Sequence, residues 1–181
     1  MDNGASSYRR FLDGDKQAFE EIVECYRDGL TFFIQRYVQN LMAAEDIAMD
    51  VFTELIVYPR RYNFSVSLKT YLYTIGRSRA IDYLRRGKKY TAVDIKEVQQ
   101  WLVDAQNLEE QLLQDERKRI VSDALLQLPT DMRVVVHLIY FEELSYEEAA
   151  KIMRKNRKQI DNLLYRAKAK LRTILRKEEL F

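Results

Sequence analysis

Along most of this chain the apolar positions recur every three to four residues, the spacing of one face of an α-helix. After Asp15, Phe19, Ile22, Val23 and Tyr26 share such a stripe, and a second run follows through Leu30, Phe33, Ile34, Tyr37 and Val38. Asp15 suits the start, because its carboxylate can accept the free N–H groups of a first helical turn. In AEDIAMDVFTELIVY, Ala44, Ile47, Ala48, Val51, Phe52 and Leu55 fall on one face. Glu45, Asp46, Met49, Asp50 and Glu54 fall on the others. Pro59 closes that helix. A polar loop over 60–67 leads into a helix from about Leu68 to Arg86, which Gly87 ends with basic residues in its last turn.

Residues 91–116 show weak periodicity and read as a linker with some helical content, in which Trp101 and Leu102 are apolar enough to dock. Helical patterning returns near Arg117 and breaks once at Leu128-Pro129. Ser145 and Glu148 have the spacing of a capping box, in which each side chain satisfies the other residue's backbone N–H. The short helix they begin carries Ala149, Ala150, Ile152 and Met153 as its apolar positions. Arg154-Lys155-Asn156 reads as a tight turn, with Asn156 capping a second helix and Gln159 three residues on. That helix turns Ile160, Leu163, Leu164, Ala167 and Leu171 inward and leaves Arg157, Lys158, Asp161, Asn162 and Tyr165 outside the stripe. A short helix, a turn and a longer helix with a polar, basic start form a helix-turn-helix. Its second helix can enter the major groove N-terminus first.

Composition agrees with an all-α fold, since five glycines, two prolines and no Asn-Gly leave little turn chemistry for hairpins. The expected architecture is two small helical domains, 1–90 and 117–181, joined by an acidic linker over 91–116. Charge changes the picture more. Residues 1–59 carry eleven acids and five bases, whereas 60–89 carry nine bases against Asp82 alone. Residues 91–116 hold seven carboxylates and one lysine, and 151–177 hold eleven bases against Asp161. Two basic blocks with interleaved tyrosines are the electrostatic footprint of two nucleic-acid contacts. Cys25 is the lone cysteine, which excludes a disulfide framework and reads as a small core residue. His137 is the lone histidine, without a catalytic partner in sequence, and reads as a packing or surface residue. No metal site, cofactor or catalytic residue is expected. MDNGASSYRR has no apolar leader pattern and no run is long enough to span a membrane, so no membrane insertion and a cytoplasmic location are expected.

These stretches resemble a known family. LPTDMRVVVHLIYFEELSYEEAAKIM is similar to the fourth conserved region of RNA polymerase sigma factors. AEDIAMDVF and SLKTYLYTIGRSRAIDYLRRGKK resemble the second region, in the order and spacing of the compact extracytoplasmic-function type. The resemblance implies a promoter-reading subunit rather than an enzyme. It implies that Glu45, Asp46, Met49 and Asp50 dock on the clamp helices of the polymerase's largest subunit. It implies that the loop over 60–67 and the helix after it hold and open the minus-ten element, through Lys69, Tyr71, Tyr73, Arg77, Ser78, Arg85 and Arg86. Tyrosines would receive unstacked bases and cations would follow the strand. The acidic linker would follow the RNA-exit channel, and an anti-sigma factor is an expected partner.

Several residues depart from the family pattern: Met49 stands for Gln, Tyr71 for Trp and Ser78 for Asn. In the recognition helix Asp161 and Leu163 replace customary cations, while bases gather at Arg154, Lys155, Arg157 and Lys158. The expectation is that Lys155 and Arg166 anchor phosphates and that Arg157, Lys158, Asp161 and Asn162 read bases of the minus-thirty-five element, with Tyr165 beside them. Two alternatives remain open at this point. One is a stand-alone helix-turn-helix regulator, against which the acidic helix and the doubled basic block argue. The other is a small nuclease, which would need a carboxylate or histidine cluster for a divalent ion.

Overall fold

The computed structural model describes residues 4–87 and 120–178, and all its regular elements among these residues are helical. The linker expectation, with Trp101 and Leu102, lies outside the described residues. The N-terminal half comprises α1 (Ala5–Leu12), α2 (Lys16–Val38), α3 (Leu41–Val57), a 3₁₀ turn (Pro59–Arg61) and α4 (Leu68–Gly87). The C-terminal half has a helical segment α5 over 120–126, then α6 (Thr130–Val136), a π-helical segment (His137–Phe141), α7 (Tyr146–Met153) and α8 (Arg157–Glu178).

Local chemistry sets most helix ends. Asp15 accepts from the backbone N–H of Gln17 and Ala18 at 3.0 and 3.3 Å, satisfying donors that the helix itself cannot. The two apolar runs after it form one continuous helix. α2 ends at Gln39 in the left-handed region, φ 54°, and Asn40 immediately caps α3 through the N–H of Ala43 at 2.9 Å. Ser67 Oγ accepts from the N–H of Thr70 and so begins α4. Ser145 and Glu148 form the expected capping box, and Asn156 and Gln159 form a reciprocal pair at 2.9 Å in both directions.

α2 is the central helix, flanked by α1, α3 and α4, with α6 on a further side. All six residues assigned to the apolar face of α3 are buried, and Leu68, Leu72, Tyr73 and Ala80 cover α2 from α4. Gly76 lets these helices close up: a Cβ there would stand 3.0 Å from Leu30 Cδ1. α1, which the apolar pattern did not announce, is anchored by Tyr8. Its hydroxyl donates to the carbonyl oxygens of Leu55, in the last turn of α3, and Pro59, in the 3₁₀ turn, at 3.0 and 3.1 Å. Burial pushes that phenol up to about 12. Its ring also packs on Tyr62 and Phe64, fixing the loop before α4 against α1.

In the C-terminal half Leu125, Met132, Val135, Leu138, Ile152 and Ile160 build the core. On α8, Ile160, Leu164 and Ala167 are buried, while Leu163 and Leu171 are only partly so. The halves pack together: α7 lies along α4 and α6 along α2. Cys25 is exposed rather than in the core, because it sits beside the stripe that Ile22 and Tyr26 define.

Candidate nucleic-acid and polymerase interfaces

The start of α8 is solvent-facing as a helix-turn-helix requires. Arg154 ends α7 in the left-handed conformation, φ 53°, which makes the tight turn. Arg157, Lys158, Asp161, Asn162, Tyr165 and Arg166 are all exposed, Tyr165 at 76%. Asp161 makes no ion pair among the described residues; Arg157 turns instead to Glu147 at 3.0 Å. Lys155 is half-buried and paired with Asp131 at 3.0 Å, so its ammonium is held across the turn against α6.

α4 divides the second set of residues. Arg85 and Arg86 are both exposed in its last turn, where Arg85 lies 3.8 Å from the Asp82 carboxylate one turn back. Tyr71 is half-buried, with its ring 5.0 Å from that of Tyr62. Tyr73 is 0% exposed, which corrects the expectation that it offers a ring to an unstacked base. Position 73 faces α2, so its ring meets Phe33 at 4.8 Å. Arg77 is half-buried beside Tyr37. Ser78 Oγ donates to the Thr74 carbonyl at 3.2 Å and accepts from Arg154 across the halves at 3.4 Å. Lys69 Nζ lies 2.8 Å from a carboxylate oxygen of Glu142 and also donates to its backbone oxygen at 2.8 Å.

Glu142 is the least expected member of this region. His137 Nε2 stands 3.1 Å from its other oxygen, and the imidazole is only 4% exposed. His137 is therefore a packing residue, with a carboxylate partner that the sequence did not reveal. Burial alone would raise the Glu142 carboxyl, but hydrogen bonds from His137 and Lys69 outweigh it and hold the group down at about 2. Burial keeps the imidazole below its usual range, so the pair at neutral pH is a carboxylate beside a neutral ring.

On α3 the acids fall into two groups. Glu54 is tied to Arg61 and Arg79, both at 2.6 Å, and Asp50 lies 3.4 Å from Arg79. Glu45 and Asp46 are exposed and make no ion pair among the described residues. Met42, Met49 and Ile56 are exposed as well, seven residues apart and therefore in one line along the helix. Met42 and Ile56 were missed in sequence; their heptad spacing with Met49 was the available signal.

Comparison with known proteins decides what these surfaces belong to. A family model described as Sigma-70 region 2 matches residues 22–90, and one described as Sigma-70, region 4 matches 118–171. The chain is 31% identical over 153 residues to the RNA polymerase sigma-H factor of Pseudomonas aeruginosa, covering 80% of this chain and 79% of that protein. It is 30% identical over 152 residues to the ECF RNA polymerase sigma-E factor of Haemophilus influenzae, covering 80% of each. The chain belongs to the extracytoplasmic-function sigma factors. As a sigma factor it binds core RNA polymerase and directs it to promoter DNA, which disfavours the stand-alone regulator. The fold is shared with the sigma factor RpoE of Bartonella quintana, solved with the anti-sigma factor NepR. The TM-score is 0.71 at 23% identity, over 87% of this chain and 96% of that one. Among the described residues of this sigma factor no helix is long and apolar enough to cross a membrane. Among the described residues, no group of three or more His, Cys, Asp or Glu side chains stands where it could hold a metal ion.

Proposed function

We propose that three surfaces divide the work of this sigma factor, two in the N-terminal half (domain 1–90) and one in the C-terminal half (domain 117–181). Glu45, Asp46, Met49 and Asp50 dock on the clamp helices of the largest polymerase subunit. The loop over 60–67 and α4 hold and open the minus-ten element. The start of α8 reads the minus-thirty-five element. The protein has no catalytic role, acts in the cytoplasm and is held in reserve by an anti-sigma factor. The observation that carries this reading is the pairing, in one chain, of an acidic exposed face on α3 with a capped, basic and exposed α8 start.

The test is selection of promoters from a pool randomised at the minus-thirty-five element, with reconstituted holoenzyme. Asn suits the paired donor and acceptor of adenine, and one good contact is worth roughly 1–3 kcal/mol of discrimination. Asn162→Ala is expected to relax preference at one or two adjacent positions and leave the others sharp. An unaltered selection would remove Asn162 from the base-reading set, and failure to select any sequence would reject the reading of α8.

Arg85 and Arg86 supply a second check, because a phosphate contact releases counterions on binding. Arg85→Ala with Arg86→Ala is expected to weaken holoenzyme–promoter binding for all sequences alike. The logarithmic salt slope should flatten by about one unit per lost contact. A slope equal to the parent's means that neither guanidinium touches DNA.

A further inference from the structure

The C-terminal half lies across the face of α4 that the proposed minus-ten contacts need. The Glu142 carboxylate enters a socket formed by Lys69, Tyr73 and the α2 backbone at Gly29. That socket exists because residue 29 has no side chain: a Cβ would stand 2.6 Å from Tyr73 Oη and 2.9 Å from Glu142 Oε1. A second carboxylate, Glu148, lies within 3.3 Å of Ser67 Oγ and 3.2 Å of Thr70 Oγ1 at the first turn of α4. Arg154 then reaches Ser78 further along. By contrast Glu45, Asp46 and Met49, together with Arg157, Lys158 and Asn162, stay exposed.

We propose that the free protein inhibits itself by closing its C-terminal half over α4, and that the Glu142 carboxylate is the latch. The proposal rests on the reading of α4 as the helix that holds promoter DNA. Lysine and hydroxyl groups donate to a carboxylate or a phosphodiester through the same charge-assisted hydrogen bonds. Glu142 and Glu148 therefore occupy groups that a DNA strand would engage, and a strand must displace them. The latch is releasable, since both Glu142 and Lys69 regain water on opening and a buried ion pair contributes little net of that. Arg36 and Arg133 repel each other across the same boundary and favour opening. Docking through α3 needs no opening, so core polymerase can seize the closed form before DNA is engaged.

The experiment places a donor dye on Cys25, the exposed native thiol, and an acceptor on an Arg172→Cys substitution in exposed α8. Glu142→Lys sets a second ammonium beside Lys69, and Glu143→Lys, on an exposed neighbour, adds the same charge without touching the latch. Circular dichroism of both variants verifies that the helices persist, and Glu142→Gln provides a gentler opening should Glu142→Lys fail to fold. Energy transfer is expected to be high in the parent and in Glu143→Lys, and to fall in Glu142→Lys and Glu142→Gln. An equilibrium that holds the parent closed ten to one lowers its apparent affinity about tenfold. The free Glu142→Lys chain should accordingly bind a dye-labelled single-stranded DNA of random sequence about tenfold more tightly than Glu143→Lys. Retained transfer in both Glu142 variants overturns the latch. Lost transfer with equal DNA affinities overturns the inhibitory role, while promoter selection by holoenzyme remains a separate test of α4 and α8.

Discussion

Glu45→Arg together with Asp46→Arg is expected to abolish co-elution of the sigma factor with core polymerase. Both side chains are exposed and unpaired among the described residues, and neither belongs to the buried stripe of Ala44, Ile47 and Ala48. The substitutions therefore leave the fold alone, and circular dichroism should match the parent. Reversing two charges against a basic partner surface turns attraction into repulsion, which costs several kcal/mol. Each 1.4 kcal/mol is tenfold, so affinity should drop about 100-fold or more. Asp50 is the poorer choice, because Asp50→Arg would also set a cation beside Arg79, now 3.4 Å from that carboxylate. Core affinity within about twofold of the parent's would exclude α3's acidic face from docking. In that event the apolar line of Met42, Met49 and Ile56 becomes the surface to alter next.

The second large effect concerns stability. Phe33 is fully buried at the meeting point of three elements, its ring 4.8 Å from Tyr73 on α4, 5.5 Å from Tyr37 and 6.3 Å from His137. Phe33→Ala removes the ring from a site that rigid helices on three sides cannot refill. The loss is about 3–5 kcal/mol, combining lost burial with the cavity left behind. For a chain of this size that lowers Tm by roughly 10 °C. Because the ring touches both halves, differential scanning calorimetry should show the whole transition move rather than one shoulder of it. A change below about 2 °C would mean that the aromatic contacts around Phe33 are loose.

Much of this architecture was legible because it is local. The six inward residues of α3, the cap at Asp15, the capping box of Ser145 with Glu148 and the turn at Arg154 each follow from residues within one or two turns. The α8 start was legible for the same reason, since a helix-turn-helix is a short, contiguous pattern. Tyr71 and Tyr73 mark where this stops. Periodicity gives the angle between two side chains but not which neighbour covers each, and only Tyr73 turned out to face α2 and Glu142. Cys25 shows the same gap from the other side: a small apolar residue beside a buried stripe looks like core until the neighbouring helix proves to be elsewhere. Glu142 pairs with a residue 73 positions away, and no short-range pattern announces such a contact. Tyr8 was hidden for that reason too, its two acceptors lying 47 and 51 positions on.

The π-helical segment from His137 to Phe141 sets the direction in which Glu142 leaves its end. Its defining bond runs from the N–H of Glu142 to the carbonyl of His137, five residues back instead of four, at 3.1 Å. Each residue of an α-helix advances the side-chain direction by about 100°, so one added residue re-aims the end of the segment by roughly that angle. Were the segment wound as ordinary α-helix with one residue fewer, Glu142 would swing out of register with Lys69 while α6 kept its place on α2. A single added residue thus acts as a vernier between the C-terminal half and the helix it covers.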